Sequence, residues 1–440
     1  MPDWEIYVIV QPDYSPLQTH FRDSNFYCVF DIGEESPAVP AGELSFPVRS
    51  IFKCNFPTRA RRSLPFKQPT LRSSSSTASY RNSPSPELLR WTFLVYDSLA
   101  TDNDVVLFVK GLNTRRGISR DPTEFTCIFG GAVRTAVTSS TQEVFRCKTP
   151  DILGKEPISV SIGIVGPTPA VVPSVAYYTP PRKISSPPKA KLCACTMVYN
   201  VAKFLREWVL YHSRIGVEKF ILYDNGSDDD LATIVDELVE EGYDVKTHFW
   251  LWPKTQEAGF SHSAIFAKDS CSWMMYIDVD EFVYSPSWYN LTQPSKSLLP
   301  SILPKLEEDN NVAQISIPCY EFGPSNQKEH PATGVIQGYN CRRKMKNRHK
   351  SIVLLSGVNQ SLLNAIHHFK LKTGYRVKKL NVLEMVVNHY KFQAWPEFKA
   401  KFRRRVSTYV VDWTKPSNLD SKDRTPGLGY SAVEPIGWQG

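Results

Sequence analysis

The chain has 440 residues, nine cysteines and a formal net charge of +8. That length exceeds one compact core and implies two or three domains. The modest basic balance allows an acidic polymer as partner. The chain carries neither zinc-finger spacing nor interleaved basic and aromatic repeats, and this argues for no nucleic-acid partner. No apolar run is long enough to span a bilayer, and residues 4–10 are too short and lack the basic flank of a signal peptide. The chain is therefore read as cytosolic or as lacking a native N-terminal anchor.

From the N-terminus, residues 4–10, 26–30 and 48–52 read as short strands broken by Pro and Gly. Residues 57–86 form a basic, Ser-rich stretch with Arg59, Arg61 and Arg62, expected to be a mobile loop. Strands resume at 91–96, 105–109, 125–129, 144–147 and 158–165, a spacing that predicts a β-sandwich. Trp4, Tyr7, Trp91 and Tyr96 are candidates for a sugar-stacking face, with core packing the commoner fate of strand aromatics. Cys28, Cys54, Cys127 and Cys147 give this region an even set, either two disulfides or four buried thiols. Residues 166–188 are dense in proline, and the boundary is placed in the semi-rigid linker 179–188. The domains are then 1–178 and 189–440.

Beyond the linker the texture changes. Strand-like runs at 192–198, 219–223, 245–250 and 273–284 alternate with helical spacing at 201–215, 231–241 and 260–268. Such alternation predicts a parallel α/β sheet, which binds ligands beyond the carboxyl ends of its strands. Polar clusters fall at three such ends: Tyr199 with Asn200, Asp224 with Asn225, and Asp278 with Asp280. On one strand Asp278 and Asp280 would share a face, and a hard divalent cation would relieve their repulsion. Sequons stand at Asn225, Asn290 and Asn359, with Asn290 in the most loop-like surroundings.

The order Thr196-Met197-Val198-Tyr199-Asn200, Glu207-Trp208, Tyr211-His212, Tyr223-Asp224-Asn225 and Tyr276-Ile277-Asp278-Val279-Asp280-Glu281-Phe282 resembles the family 92 glycosyltransferases. Within that family it looks most like the plant galactan synthases. Glu321-Phe322-Gly323-Pro324-Ser325, Arg348-His349-Lys350 and Asn388-His389-Tyr390 extend the match over roughly residues 190–410. The resemblance implies a GT-A transferase domain preceded by a carbohydrate-binding module. It implies an inverting, metal-dependent β-1,4-galactosyltransferase that extends galactan side chains of pectin from UDP-galactose. It also implies a Golgi membrane enzyme with a lumenal catalytic domain and a native membrane anchor, so this chain is read as a truncated form; a homodimer is compatible.

Carried over by residue, Asp278, Asp280 and His389 would hold Mn²⁺ or Mg²⁺. Thr196, Tyr199, Asn200, Asp224, Asn225 and Lys350 would bind the donor, and Arg343 and Lys346 the acceptor. Glu321 is the candidate base, with Glu281, Asp269 and Asp412 as rivals. The competing expectation is an inactive glycan-binding protein or a basic scaffold for an acidic polysaccharide.

Overall fold

The structure is a computed structural model. It describes residues 5–11, 25–62, 65–74, 86–113, 119–152, 154, 156–180, 188–304, 311–401 and 438. The chain divides into two compact units, Met1–Lys183 and Ile184–Gly440.

The first unit holds β1 (Glu5–Ile9), β2 (Phe26–Val29), β3 (Glu35–Leu44), β4 (Arg49–Asn55) and β5 (Thr70–Ser73) in an antiparallel sheet of order β1-β4-β3-β2-β5. A second sheet follows, built from β6 (Leu94–Ala100), β7 (Asp104–Lys110), β8 (Phe125–Phe129), β9 (Val133–Thr141), β10 (Val144–Lys148), β11 (Ile158–Ile164), β12 (Ala170–Val171) and β13 (Tyr177–Tyr178). Each sheet has its own core. Phe26, Phe52 and Phe56 pack in the first, and Val95, Leu107, Phe125, Phe145 and Ile162 in the second. The region 1–178 expected as a β-sandwich thus holds two sheets, each with an apolar cluster of its own. The second sheet curls round its own core: Val95 donates to Pro173 O at 2.9 Å and Val175 to Val95 O at 2.9 Å, which brings the last segment back to β6.

Two expectations change here. Part of the Ser-rich loop, Thr70–Ser73, is an edge strand on β2; residues 63, 64 and 75–85 lie outside the described residues. Part of the proline-dense stretch also belongs to the second sheet, where Val172, Ala176 and Tyr178 are buried. Tyr96 is fully buried and Lys110 lies over the Trp91 ring, so neither ring presents a free stacking face; Trp4 lies outside the described residues. Disulfides Cys28–Cys54 and Cys127–Cys147 each link two strands of one sheet.

The second unit begins with β14 (Ala190–Val198), α1 (Ala202–Ile215), β15 (Lys219–Asp224), α2 (Leu231–Glu240), β16 (Asp244–Phe249), α3 (Gln256–Phe266) and β17 (Cys271–Tyr276). Then come β18 (Glu281–Tyr284), β19 (Val312–Glu321), the short α4 (Val335–Gly338), β20 (His349–Leu354), β21 (Asn364–Ala365), β22 (His368–Phe369), β23 (Arg376–Lys379) and β24 (Val386–His389). The main sheet runs β16-β15-β14-β17-β20-β19-β24-β18. Its first four strands are parallel; β14, β15 and β17 are mostly buried, as strands covered on both faces are, while β16 at the edge is half exposed. From β14 the chain steps to β15 and β16 on one side, then returns to β17 on the other. That reversal opens a crevice beyond the carboxyl ends of β14 and β17, where open α/β sheets bind ligands.

α1 buries Phe204, Leu205, Trp208, Val209, His212 and Ile215, a stripe at helical spacing. It stops at Gly216, whose φ of 116° is open to glycine at little cost. A Cβ there would lie 2.2 Å from Lys296 O. Cys193–Cys271 ties β14 to β17 across 78 residues, a pairing the sequence reading did not make. In the chain-entropy picture a loop of that size stabilises by about 4–5 kcal/mol.

Candidate active site

The strand expected over residues 273–284 is two strands separated by a turn. β17 ends at Tyr276 and β18 begins at Glu281, so Asp278 and Asp280 lie in the intervening turn rather than on alternate strand positions. The turn closes by Glu281 N–H donating to Asp278 O (3.0 Å), while Asp278 N–H donates to Glu281 Oε2 (2.9 Å). β18 then leaves β17 and pairs with β24.

That pairing assembles the site. In register, Glu281 faces His389, and His389 faces Glu321 on β19, so the three form one row across adjacent strands. His389 Nε2 lies 3.4 Å from Asp280 Oδ2, and its Nδ1 lies 3.4 Å from Glu281 Oε1. Glu281 is fully buried, and its Oε1 has no hydrogen-bond partner among the described residues. Burial raises the Glu281 carboxyl, Lys350 opposes this, and the Asp278 and Asp280 charges add to the rise.

Lysines supply the counter-charges. Lys350 Nζ donates to Asp278 Oδ2 (2.9 Å), lies 2.9 Å from Glu281 Oε2 and contacts His367 Nε2 at 2.6 Å. Burial pushes the Asp278 carboxyl up, but Lys350 and then His367 outweigh it and hold it below the ordinary range. Burial likewise pushes Asp280 up, and Lys401 with His389 overturns that. Lys401 donates directly to Asp280 Oδ2.

The residues fit a divalent cation. Two cis ligands of an octahedral ion at about 2.1 Å lie roughly 3 Å apart, close to the observed 3.4 Å between Asp280 Oδ2 and His389 Nε2. Glu281 Oε1 stands 3.4 Å from the far nitrogen, the place of the carboxylate that usually supports a metal-binding histidine, without a hydrogen bond to it.

The first strand ends form a second cluster. Asn200 N–H donates to Ser227 Oγ (3.0 Å), Asp228 N–H to Asn200 Oδ1 (2.9 Å), and Ala202 N–H to Asp229 Oδ2 (2.9 Å). Asp224 Oδ1 accepts from Ser227 N (2.9 Å) and Oγ (2.6 Å); burial raises its carboxyl and these bonds oppose the rise. Asn225 N–H donates to Val198 O (3.0 Å), and the buried Asn225 Oδ1 has no hydrogen-bond partner among the described residues. Tyr199, Asn200, Asp224 and Asn225 therefore stand together. Thr196 does not join them: it is fully buried inside β14, its hydroxyl against Met197 O at 3.4 Å.

Glu321 is a charge hub. Its Oε1 accepts from Lys391 Nζ (2.7 Å) and Asn347 Nδ2 (3.0 Å), and its Oε2 from Arg343 Nη1 (3.0 Å). Arg343 also covers the Phe392 ring at 4.8 Å, while Lys346 is exposed. Asp269 sits before β17, at the end of that strand opposite the crevice. Asp412 lies outside the described residues.

Residues 189–424 match the family model described as glycosyltransferase family 92. The chain belongs to glycosyltransferase family 92. A family 92 protein of Arabidopsis thaliana is 40% identical over 441 residues, covering 95% of this chain and 75% of that protein. A family 92 protein of Ricinus communis is 41% identical over 367 residues, covering 79% of this chain, which spans 65% of that relative's length. The galactan beta-1,4-galactosyltransferase GALS2 of Arabidopsis thaliana is 24% identical over 268 residues, covering 55% of this chain and 47% of that protein. Among solved structures, S. aureus TarS in complex with UDP aligns with 14% identity and a TM-score of 0.21 over 32% of this chain and 38% of that chain.

Other residues of this family 92 chain hold the frame. Glu207 accepts from the N–H groups of Val335 (2.7 Å) and Ile336 (3.0 Å) at the start of α4. His212 donates from Nδ1 to Trp208 O (2.9 Å) and accepts at Nε2 from Val283 N–H (3.4 Å), clipping α1 to β18. Sequence reasoning missed Lys391 and His367, and it saw Lys401 only as part of a basic run for an acidic polysaccharide, not as a partner of Asp280. Lys391 directly follows the Asn388-His389-Tyr390 match and Lys401 lies in a basic run, but no local feature sets either apart. Of the sequons, Asn290 is exposed in the loop after β18, whereas Asn359 Oδ1 accepts from Ser361 N–H (3.0 Å). Among the described residues no helix is long and apolar enough to cross a membrane.

Proposed function

We propose that this chain is an inverting, metal-dependent galactosyltransferase of GT-A type that moves galactose from UDP-galactose onto β-1,4-galactan side chains of pectin. The observation that carries the reading is the meeting of Asp280, His389 and Glu281 beside the β14/β17 crevice, with the Asn200–Asp224–Asn225 cluster on the neighbouring strand ends. The choice of donor and acceptor rests on the resemblance to galactan synthases and on the likeness to GALS2.

Asn225 Oδ1 offers an unused acceptor to a nucleobase N–H, with Tyr199, Asn200 and Asp224 beside it and Thr196 behind them in the strand. Asp280 and His389 would hold Mn²⁺ or Mg²⁺, Glu281 would orient His389, and Asp278 lies two residues before Asp280 in the same turn. When bound, that cation offsets the charge gathering on the departing UDP. Glu321 is the proposed base. It takes the acceptor hydroxyl proton as the acceptor oxygen bonds to the anomeric carbon and the bond to the diphosphate breaks. The acceptor must first displace Lys391, Arg343 or Asn347 from its oxygens. Lys350 reaches donor phosphates only by leaving Asp278 and Glu281. Arg343 and Lys346 are proposed to steady the acceptor, and the first unit to hold galactan near the site.

Three disulfides, Cys28–Cys54, Cys127–Cys147 and Cys193–Cys271, suit an oxidising lumen and support a Golgi setting. One observation favours the inactive, glycan-binding reading: both Asp278 and Asp280 already carry lysine partners. The test is UDP release from UDP-galactose with added β-1,4-galactan, with and without EDTA, in wild type and Asp280→Asn. Transfer that EDTA and Asp280→Asn both abolish supports the enzyme; release unaffected by either refutes the metal site, and no release from any sugar nucleotide supports the binding protein.

A further inference from the structure

Residues 395–401 form a helix that reaches the site from the side remote in sequence. Its apolar face is anchored: Phe398 and Trp395 pack with Phe392 and Trp438. Its charged face carries Glu397 and Lys401, four residues apart and so on one side of the helix. Glu397 pairs with Lys203 in the first turn of α1. Lys401 pairs with Asp280. The helix is thus pinned at two points, and the second pin is the turn carboxylate argued above to be a metal ligand.

We propose that Lys401 is the resident counter-cation of Asp280 and competes with the divalent cation for the same oxygen. This rests on the reading that Asp280 and His389 hold the metal. Lys401 contacts Oδ2, the same atom that lies 3.4 Å from His389 Nε2, so an ion seated between these two nearest ligand atoms meets Lys401 at Oδ2. A divalent ion and an ammonium on one carboxylate oxygen repel each other, so each weakens the hold of the other. Asp280 is 8% exposed and Lys401 30%, so the contact is only partly screened by water. Lys350 cannot replace Lys401 in this role, since it is held by Asp278, Glu281 and His367. Metal entry therefore disfavours the Lys401 contact, and the departure of Lys401 frees one of the two charged pins of helix 395–401. The carboxylate is never left without a positive partner: the lysine holds it until the ion arrives.

The experiment is a Mn²⁺ titration of the full chain without nucleotide, followed by the electron paramagnetic resonance of free Mn²⁺. Lys401→Met removes the charge and keeps the stem. The loss of a charge-assisted contact of this kind is expected to tighten Mn²⁺ binding roughly tenfold. Lys401→Arg, which keeps the competitor, is expected to bind as wild type does. Mn²⁺ affinity of Lys401→Met equal to or weaker than wild type overturns the proposal. Asp280→Asn separates the two levels: it should lose the site, and unchanged Mn²⁺ binding there means the metal reading itself is wrong, and the competition with it. A second measurement needs no variant. Backbone amide exchange over residues 395–401 of the wild type should accelerate when Mn²⁺ is added, and exchange unaltered by saturating Mn²⁺ overturns the release of the helix.

Discussion

Replacing Lys350 by methionine removes a cation that touches both Asp278 Oδ2 and Glu281 Oε2, each at 2.9 Å. Lys350 is 8% exposed and Glu281 is fully buried, so water cannot take over the role. Stripping one partner from a buried ion pair costs about 3–5 kcal/mol, because the other charge stays behind unpaired. For a domain of this size each kcal/mol lowers the melting temperature by about 2–4 °C, so a fall of roughly 10 °C is expected. Burial lowers the Lys350 pKa, but Asp278 and Glu281 more than offset this and leave it raised. Its contribution is therefore complete at neutral pH and is lost only as pH rises past the ordinary lysine value towards the raised one. Calorimetric melting of wild type, Lys350→Met and the double variant Lys350→Met/Glu281→Gln is the assay. The second substitution neutralises the abandoned carboxylate and should recover part of the loss, a coupling of about 0.5–3 kcal/mol. If Lys350 served only donor phosphates, Lys350→Met would melt as wild type does and show a raised KM for the sugar nucleotide; that result refutes the structural role.

Glu321→Gln should lower kcat by about 10² or more if Glu321 is the base, with the donor KM little changed; a fall under about tenfold accompanied by a lower melting temperature would leave it a charge hub for Lys391 and Arg343. Burial pushes the His212 pKa from 6.5 down to about 3, and only its bond to Trp208 O resists. Between those values the unfolded chain binds a proton that the folded chain refuses, so stability falls as pH falls, by about 2 kcal/mol from pH 7 to 5. His212→Asn should make that dependence shallower in melts at pH 7, 6 and 5, with the buried His248, His262 and His367 and the half-buried His368 keeping the rest of it, and a slope equal to wild type would show that His212 is not held neutral.

The strand–helix alternation from β14 to β17 was legible because β14, β15 and β17 are buried on both faces and α1 and α2 on one. Ala194, Leu222 and Met275 are wholly buried, and the apolar runs say so without knowledge of any partner. The turn after β17 misled for the same reason. Ile277, Val279 and Phe282 are buried around Asp278 and Asp280, and a buried turn of that composition has the period of a strand. Only the pairing of β18 with β24 distinguishes the two, and that pairing lies more than a hundred residues away in sequence.

The carboxylate partners of the lysines were illegible on stronger grounds. Lys350 lies 72 residues from Asp278, and Lys401 lies 121 from Asp280, so neither pair leaves a local pattern. A basic run looks uniform until its side chains are placed. In the run from Arg342 to Lys350, Arg343 turns to Glu321, Lys350 turns to Asp278 and Glu281, and Arg342 lies over the Tyr320 ring at 3.9 Å. Lys344, Lys346 and Arg348 are exposed, with no carboxylate partner among the described residues. The net charge of +8 therefore overstates what the site offers an anion. The cations nearest the chemistry are consumed by Asp278, Asp280, Glu281 and Glu321, and an acidic acceptor would meet the outward half of the run.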